Sequence, residues 1–299
     1  MIELLLLLSA PPAFYSQAVA FDESRGRLVV FGGYFAGRYS GATWEWNGAA
    51  WTEAATDGPA GRNGAAMAYD ARRKKCVLFG GDTRESGEFG DTWEWDGKTW
   101  ARVAETGPPT RTLGRLAGDS ARGRVVLFGG IAKGTVLGDT WEWDGAKWTA
   151  MAPPSSPPAR FIGGMAYDAG RRRTVLFGGL AAARPDAPKL GDTWEWDGAR
   201  WTEVNAAGPA ARDHTALGYD AAAQRVVLAG GAVGEGPAGD TWEFDGKAWV
   251  RAADDAPDRA GHHLVYDTAR GALLLFGGFA GPKPTSELWM RKSGTWTRL

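Results

Sequence analysis

Gly90-Asp91-Thr92-Trp93-Glu94-Trp95-Asp96-Gly97-Lys98-Thr99-Trp100 is the stretch that decides the fold. It recurs six times at a period of about fifty residues. In each copy a first Trp lies seven residues before a closing one: Trp44/Trp51, Trp93/Trp100, Trp141/Trp148, Trp194/Trp201, Trp242/Trp249 and Trp289/Trp296. All sixteen tryptophans fall within these copies. Aromatic residues so confined answer a repeating structural need, and a repeat of this length builds a solenoid, a propeller or an array.

Two further markers keep the same beat. Phe31-Gly32-Gly33, Phe79-Gly80-Gly81, Phe128-Gly129-Gly130, Phe177-Gly178-Gly179, Ala229-Gly230-Gly231 and Phe276-Gly277-Gly278 each close a short apolar run. An aromatic residue before Asp appears as Phe21-Asp22, Tyr69-Asp70, Tyr167-Asp168, Tyr219-Asp220 and Tyr266-Asp267, with Gly118-Asp119 as the exception. The units run approximately over residues 11–58, 59–107, 108–156, 157–208, 209–256 and 257–299.

Each unit reads as four short strands, A to D. In the second unit these are 64–69, 76–80, 92–95 and 99–103. Asp96-Gly97 reads as a two-residue hairpin turn with both residues at positive φ, and that register sets Trp93 opposite Trp100. It also sets Glu94 opposite Thr99, Glu142 opposite Lys147 and Glu195 opposite Arg200, as cross-strand pairs near the rim. No segment sustains a 3.6-residue apolar period, so almost no helix is expected. Strand A is rich in small residues (Ala65, Ala66, Gly163, Gly164, Ala216), as the crowded axis of a ring of blades requires. The expectation is an all-β chain: a six-bladed β-propeller of four-stranded antiparallel blades, forming one domain over residues 1–299.

These elements resemble the kelch family over nearly the whole chain. The matching features are the apolar run ending in Phe-Gly-Gly, the Asp-x-Trp-x-aromatic strand, the closing Trp and an Arg opening most units. The C–D turn is shorter than the common kelch pattern. The resemblance implies the propeller fold and, in its Gly-Asp-Thr-Trp-Glu-Trp-Asp-Gly wording, a bacterial type. It implies less about activity, since kelch propellers include binding modules and a few enzymes, among them six-bladed sialic-acid mutarotases. No catalytic residue carries over.

Composition narrows the function classes. The 34 basic and 35 acidic residues nearly cancel, which argues against nucleic-acid binding. A single cysteine, Cys76, excludes an internal disulfide framework and reads as a buried structural thiol. The apolar run 4–8 is too short to span a membrane and follows Glu3 with no basic residue ahead of it. Residues 1–10 therefore read as an extra strand closing on the last blade, with the stub of an export signal as the alternative. The compartment stays open between exported and cytoplasmic, and a monomer is expected.

Alternating strand direction sends the A–B and C–D turns to one end and the B–C and D–A loops to the other. At the first end Arg72, Arg73, Lys74, Lys75 and Arg171 to Arg173 read as a solvated charged face, offset by the Asp-Gly turns. At the second end the B–C loops 34–42, 82–90, 131–138, 180–191, 232–239 and 279–286 vary, and variation on a repeated scaffold collects where binding is done. Arg62, Arg111, Arg160, Arg212 and Arg259 each lie eight residues before their unit's Asp, with Phe14 in the first unit, and should encircle the channel mouth. Five guanidiniums there suit a carboxylate, a phosphate or an acidic peptide.

The same five units carry an acid at the start of strand C: Asp91, Asp139, Asp192, Asp240 and Glu287, against Ala42 in the first. That coincidence predicts Arg–acid pairing within each blade, with a free guanidinium edge needed for any ligand. Tyr34, Phe35, Tyr39 and Phe89 read as exposed aromatics of the same end. His214 and His262 open neighbouring strands A near Asp213, while strand alternation turns His263 to the other face. They are ligand-binding candidates; no metal site or cofactor is called. No nucleophile–His–acid set or phosphate-cradling loop is visible. The leading reading is a module binding a protein segment or glycan, possibly anionic, at the B–C/D–A end. The alternatives are an enzyme acting on a small acidic sugar and a purely structural propeller.

Overall fold

The structure, a computed structural model, describes residues 10–253 and 256–299, and every regular element among them is a strand. Six four-stranded antiparallel sheets follow one another along the chain, each ordered A-B-C-D. In the second blade the strands are Ala66–Asp70, Lys75–Phe79, Thr92–Trp95 and Trp100–Ala104. The six strands A are Ala18–Asp22, Ala66–Asp70, Arg115–Asp119, Gly164–Asp168, Ala216–Asp220 and His263–Asp267. Each packs against the next, and the first also meets the last, so strand A is innermost and the ring closes. The extra strand expected from residues 1–10 falls on residues 1–9, outside those described.

In the second, third and fourth blades the three tryptophans do three different jobs. The closing Trp reaches back to the preceding blade: its Nε1–H donates to a strand C threonine there, as in Trp100 to Thr43 (2.7 Å) and Trp201 to Thr140 (2.8 Å). Its ring lies against that blade's Phe-Gly-Gly phenylalanine, as in Phe79–Trp148 at 5.3 Å. The second Trp stacks on the closing one and donates to a glutamate of the preceding blade: Trp95 to Glu45, Trp143 to Glu94 and Trp196 to Glu142. The first Trp donates within its own blade to the acid opening strand C, as in Trp93 to Asp91 at 2.7 Å. Cys76 is buried and free, and burial pushes its thiol well up.

The hairpin register differs from expectation. Trp95, not Trp93, lies opposite Trp100; Trp93 lies opposite Arg102, and an irregularity follows between Trp93 and Thr92. The reason is the role of Asp96. Its backbone is not at positive φ; its Oδ1 instead accepts from the N–H groups of Lys98 and Thr99. The turn centre thereby moves one residue along, and Gly97 alone takes φ +94. A Cβ on Gly97 would also fall about 2.5 Å from the Arg25 guanidinium of the preceding blade. Among the C–D turns, that of the sixth blade alone has two positive-φ residues, Ser293 and Gly294.

With the register moved, Glu94 faces Ala101, Glu142 faces Thr149 and Glu195 faces Thr202, so the expected cross-strand pairs do not form. These glutamates turn to neighbouring elements instead. Glu45 and Glu142 are buried and receive both an A–B-turn arginine, Arg25 or Arg122, and the next blade's indole.

Candidate binding site in the axial channel

Arg62, Arg111, Arg160 and Arg212 are buried, and every guanidinium nitrogen of each is used. In Arg62, Nε donates to the Ala60 carbonyl, Nη1 to Gly80 O and Asp91 Oδ1, and Nη2 to Asp91 Oδ2. The nearest nitrogens lie 2.5 Å from Asp91, 2.6 Å from Asp139, 2.6 Å from Asp192 and 2.6 Å from Asp240; Arg259 pairs with Glu287. Burial pushes the four Asp carboxyls up, but the guanidinium and the indole Nε1–H outweigh it and hold them below the usual carboxylate range.

The pairing within each blade is thus present, and it turns the guanidiniums away from the channel. None of the five arginines lines the axial cavity. The reason is local. Each Arg backbone is held by the preceding blade, as in Gly33 N–H to Arg62 O (2.8 Å) and Gly81 N–H to Arg111 O (2.9 Å). The side chain is then drawn back across its own strand B toward strand C. Gly80 has no Cβ because the Arg111 carbonyl would lie 2.4 Å from it. Phe89, expected to be exposed, lies half-buried with the Arg62 guanidinium 3.9 Å from its ring centroid.

Two residues past each ring position the chain takes positive φ: Ser16, Gly64, Leu113, Ile162, His214 and Gly261. Their peptide groups bond from blade to blade around the mouth: Gly64 N–H to Ser16 O, Leu113 N–H to Gly64 O, Ile162 N–H to Leu113 O and Gly261 N–H to His214 O. Left-handed backbone at Leu113 or Ile162 costs about 1–3 kcal/mol, and such strain persists only where surrounding contacts over-determine it.

The remaining candidates sit on this rim. Phe14 is half-buried against Gly33. Tyr34 and Tyr39 stack at 4.8 Å in a two-stranded ribbon, and the Tyr39 hydroxyl accepts from Arg84 N–H at 3.0 Å. His214 lies 5.6 Å from the Phe279 ring, with its Nδ1 3.1 Å from Asp213 Oδ2. Asp213 is also met by Lys189 Nζ at 3.0 Å. Burial pushes the Asp213 carboxyl up, but His214 and Lys189 hold it down. Among the described residues no group of three or more His, Cys, Asp or Glu side chains is placed to hold a metal ion.

Inside the mouth the six strands A enclose a cavity of about 410 Å³. That lies within the range of about 300–1,000 Å³ usual for small-molecule sites. Its walls are mainly small and apolar, with Ala20, Ala68, Ala117, Ala166 and Gly218 from five strands. Arg115 enters from the third blade at a position held elsewhere by Ala18, Ala66, Gly164, Ala216 and His263; the register is common, since Ala18, Arg115 and His263 each face the closing Phe of strand B. The Arg115 Nε donates to Gly163 O, and the residue forms no ion pair among the described residues. Burial pushes its guanidinium down to about 10, with no acid to offset it.

His262 and His263 line the same cavity from the sixth blade, so the expected divergence to opposite faces does not keep them apart. Neither ring nitrogen of His262 has a hydrogen-bond partner. Burial, with Arg259 and then Arg115 adding to it, pushes His262 down to about 4, and burial with Arg115 pushes His263 to about 3, so both are neutral at pH 7. Arg115 and His263 stand outside the repeat, so the periodic arginines do not point to them. The usable signal was the opposite one: a charge at a position where the other repeats carry Ala or Gly.

A family model for the KLHDC2/KLHL20/DRC7 Kelch-repeats domain matches residues 42–231. The chain belongs to the Kelch-repeat family. Its structure is similar to the solved structure of YjhT, with a TM-score of 0.72 and 17% sequence identity, covering 98% of this chain and 99% of that one. At that identity the likeness is one of fold. No curated protein matches the chain.

The far end of this Kelch propeller holds a second periodic charge system that the sequence reading treated as a solvated face. Strand A ends in a buried Asp, and three residues on an arginine folds back to it: Arg25–Asp22, Arg73–Asp70, Arg122–Asp119, Arg171–Asp168 and Arg270–Asp267. Around the same mouth stand Tyr69, Tyr167, Tyr219 and Tyr266. The hydroxyls of Tyr69 and Tyr219 accept from A–B-turn N–H groups of the preceding blade, Ser24 and Gly170. No helix of the described residues is long and apolar enough to cross a membrane.

Proposed function

We propose that this Kelch propeller is a binding module that receives an anionic group, a carboxylate or phosphate at the end of a protein segment or glycan, in its axial channel. The ligand enters from the B–C/D–A end, past Tyr34, Tyr39, Phe14 and His214, and its anion meets Arg115. The supporting observation is the contrast between Arg115 and the other arginines of that end: the five repeated ones are consumed by blade acids, while Arg115 faces a cavity with no acid partner. A guanidinium in a low-dielectric cavity binds an anion more strongly than one in water. His262 and His263, being neutral, add no competing acid and leave room for hydrogen bonds.

The test is titration of short carboxylates and inorganic phosphate by calorimetry against the wild-type chain, Arg115→Lys and Arg115→Ala. Removing the guanidinium should weaken binding at least tenfold, about 1.4 kcal/mol, with Lys retaining part of the affinity. Equal affinity in a folded Arg115→Ala protein would remove Arg115 from the site. The reading of an enzyme acting on a small acidic sugar gains one feature from the same cavity, a neutral imidazole across from the cation, suited to proton transfer. Exchange of a sugar C–H or anomeric proton, followed by NMR and lost in His263→Gln, would favour it.

A further inference from the structure

The channel has a second unpartnered charge. Glu23 follows the first strand A at the far mouth, where the other blades place Ala71, Ser120, Ala169, Ala221 and Thr268. The strand-ending aspartates around it are each taken by an arginine: five by the A–B-turn residues of their own blades, and Asp220 by Arg291 at 3.9 Å. Glu23 forms no ion pair among the described residues. Glu23 is exposed at the mouth, and partial desolvation by its neighbours, then the adjacent Asp22 charge, push its carboxyl up. Of the residues lining the cavity, Arg115 and Glu23 are the only acidic or basic side chains apart from the two neutral histidines.

Their separation follows from the register. Arg115 occupies the Ala18 position of its strand, and Glu23 lies five residues beyond Ala18. At about 3.3 Å per residue the two levels are roughly 17 Å apart along the axis. Between them the wall is apolar, with Met67 and Leu116 one residue past the Arg115 level and Ala20, Ala68, Ala117 and Ala166 at mid-strand. At the Glu23 end the tyrosines supply aromatic faces, which attract an ammonium through the ring quadrupole.

We infer that the channel is a two-ended site for a linear zwitterion, with its anionic group at Arg115, an apolar stem along the strands A, and an ammonium at Glu23 among the tyrosines. This rests on the reading of Arg115 as an anion site and adds the opposite pole and the length. Opposite charges at the two ends fix the ligand's direction, and a stem too short to span them gains from one end only.

The experiment compares dodecanoate, ω-aminododecanoate and ω-aminohexanoate by calorimetry on the full chain, in wild type, Glu23→Gln and Arg115→Ala. In wild type ω-aminododecanoate should bind roughly tenfold tighter than dodecanoate. The Glu23→Gln change should erase that preference and leave dodecanoate binding unaltered. The short ω-aminohexanoate should be indifferent to Glu23→Gln. A preference that survives Glu23→Gln, or no preference in wild type, overturns the two-ended site while leaving the anion site standing. Dodecanoate binding unaffected by Arg115→Ala, or absent altogether, overturns both.

Discussion

Arg291 of the sixth blade places Nη2 2.6 Å from Glu243 of the fifth, at the position where the second, third and fourth blades carry Trp95, Trp143 and Trp196. Those indoles donate to the glutamate of the preceding blade, and Arg291 does the same with a guanidinium. The fifth blade also lacks the A–B-turn arginine, having Ala223 instead, so its Asp220 accepts from the Ala222 and Ala223 N–H groups but has no cationic partner in its own blade. One buried guanidinium in the sixth blade thus serves two carboxylates of the fifth. The two departures from the repeat compensate each other across an interface.

Truncation of Arg291 to Ala should therefore strand both Glu243 and Asp220. Removing one member of a buried pair costs about 3–5 kcal/mol; Glu243 is partly open to water, so the lower part of that range is expected. Urea denaturation measures it. The double change Ala223→Arg with Arg291→Trp restores the common repeat and should recover much of the loss. Arg291→Ala within about 0.5 kcal/mol of wild type would show that the contact is not needed.

The repeated arginines should behave as stability residues. Arg111→Ala takes the guanidinium from Asp139, which keeps the Trp141 indole, and from the Gly129 carbonyl, and should cost on the order of 3 kcal/mol. Arg111→Lys should recover little, because a point charge cannot reproduce the two parallel bonds to the carboxylate. Denaturation midpoints decide the stability part. Anion affinity of the folded variant should match wild type, since Arg111 does not line the cavity.

Acid should weaken the fold in two stages. The histidines sit at about 4 and about 3 in the folded chain, against about 6.5 when unfolded. The unfolded state takes up these protons first, so stability falls as pH drops from about 6.5 toward 4. The ring aspartates Asp91, Asp139, Asp192 and Asp240 are held below the unfolded value, so their contribution is complete above about pH 4 and is lost as pH falls through the folded values. Denaturation against pH should show both limbs, and His262→Gln with His263→Gln should remove the upper one alone. An upper limb unchanged in that double variant would assign it to other groups.

The blade plan was legible because every unit repeats the same local choices. The seven-residue Trp spacing, the Gly-Gly pairs closing strand B and the turn glycines agree in six copies, so the strand order and the innermost place of strand A could be read from any of them. Register was less legible. Whether Asp96 enters the turn through its backbone or through its carboxylate changes no residue type, yet it moves the strand pairing from Trp93/Trp100 to Trp95/Trp100.

By itself, the sequence determined the six blades and the pairing partners of the five repeated arginines, since these depend on contacts within one repeat, and the burial of Cys76, which follows from its place in the apolar run of strand B. Only the tertiary structure decided which charges face the channel. That depends on what five other blades contribute at the same level of the axis, and no window of a single repeat contains it. Arg62 and Arg115 are the same residue type near the start of the same strand, in the second and third blades. Arg62 is drawn back onto Asp91 by the Gly80 carbonyl and the preceding blade, while Arg115 points where its neighbours are Ala, Gly and neutral His, with no acid in reach.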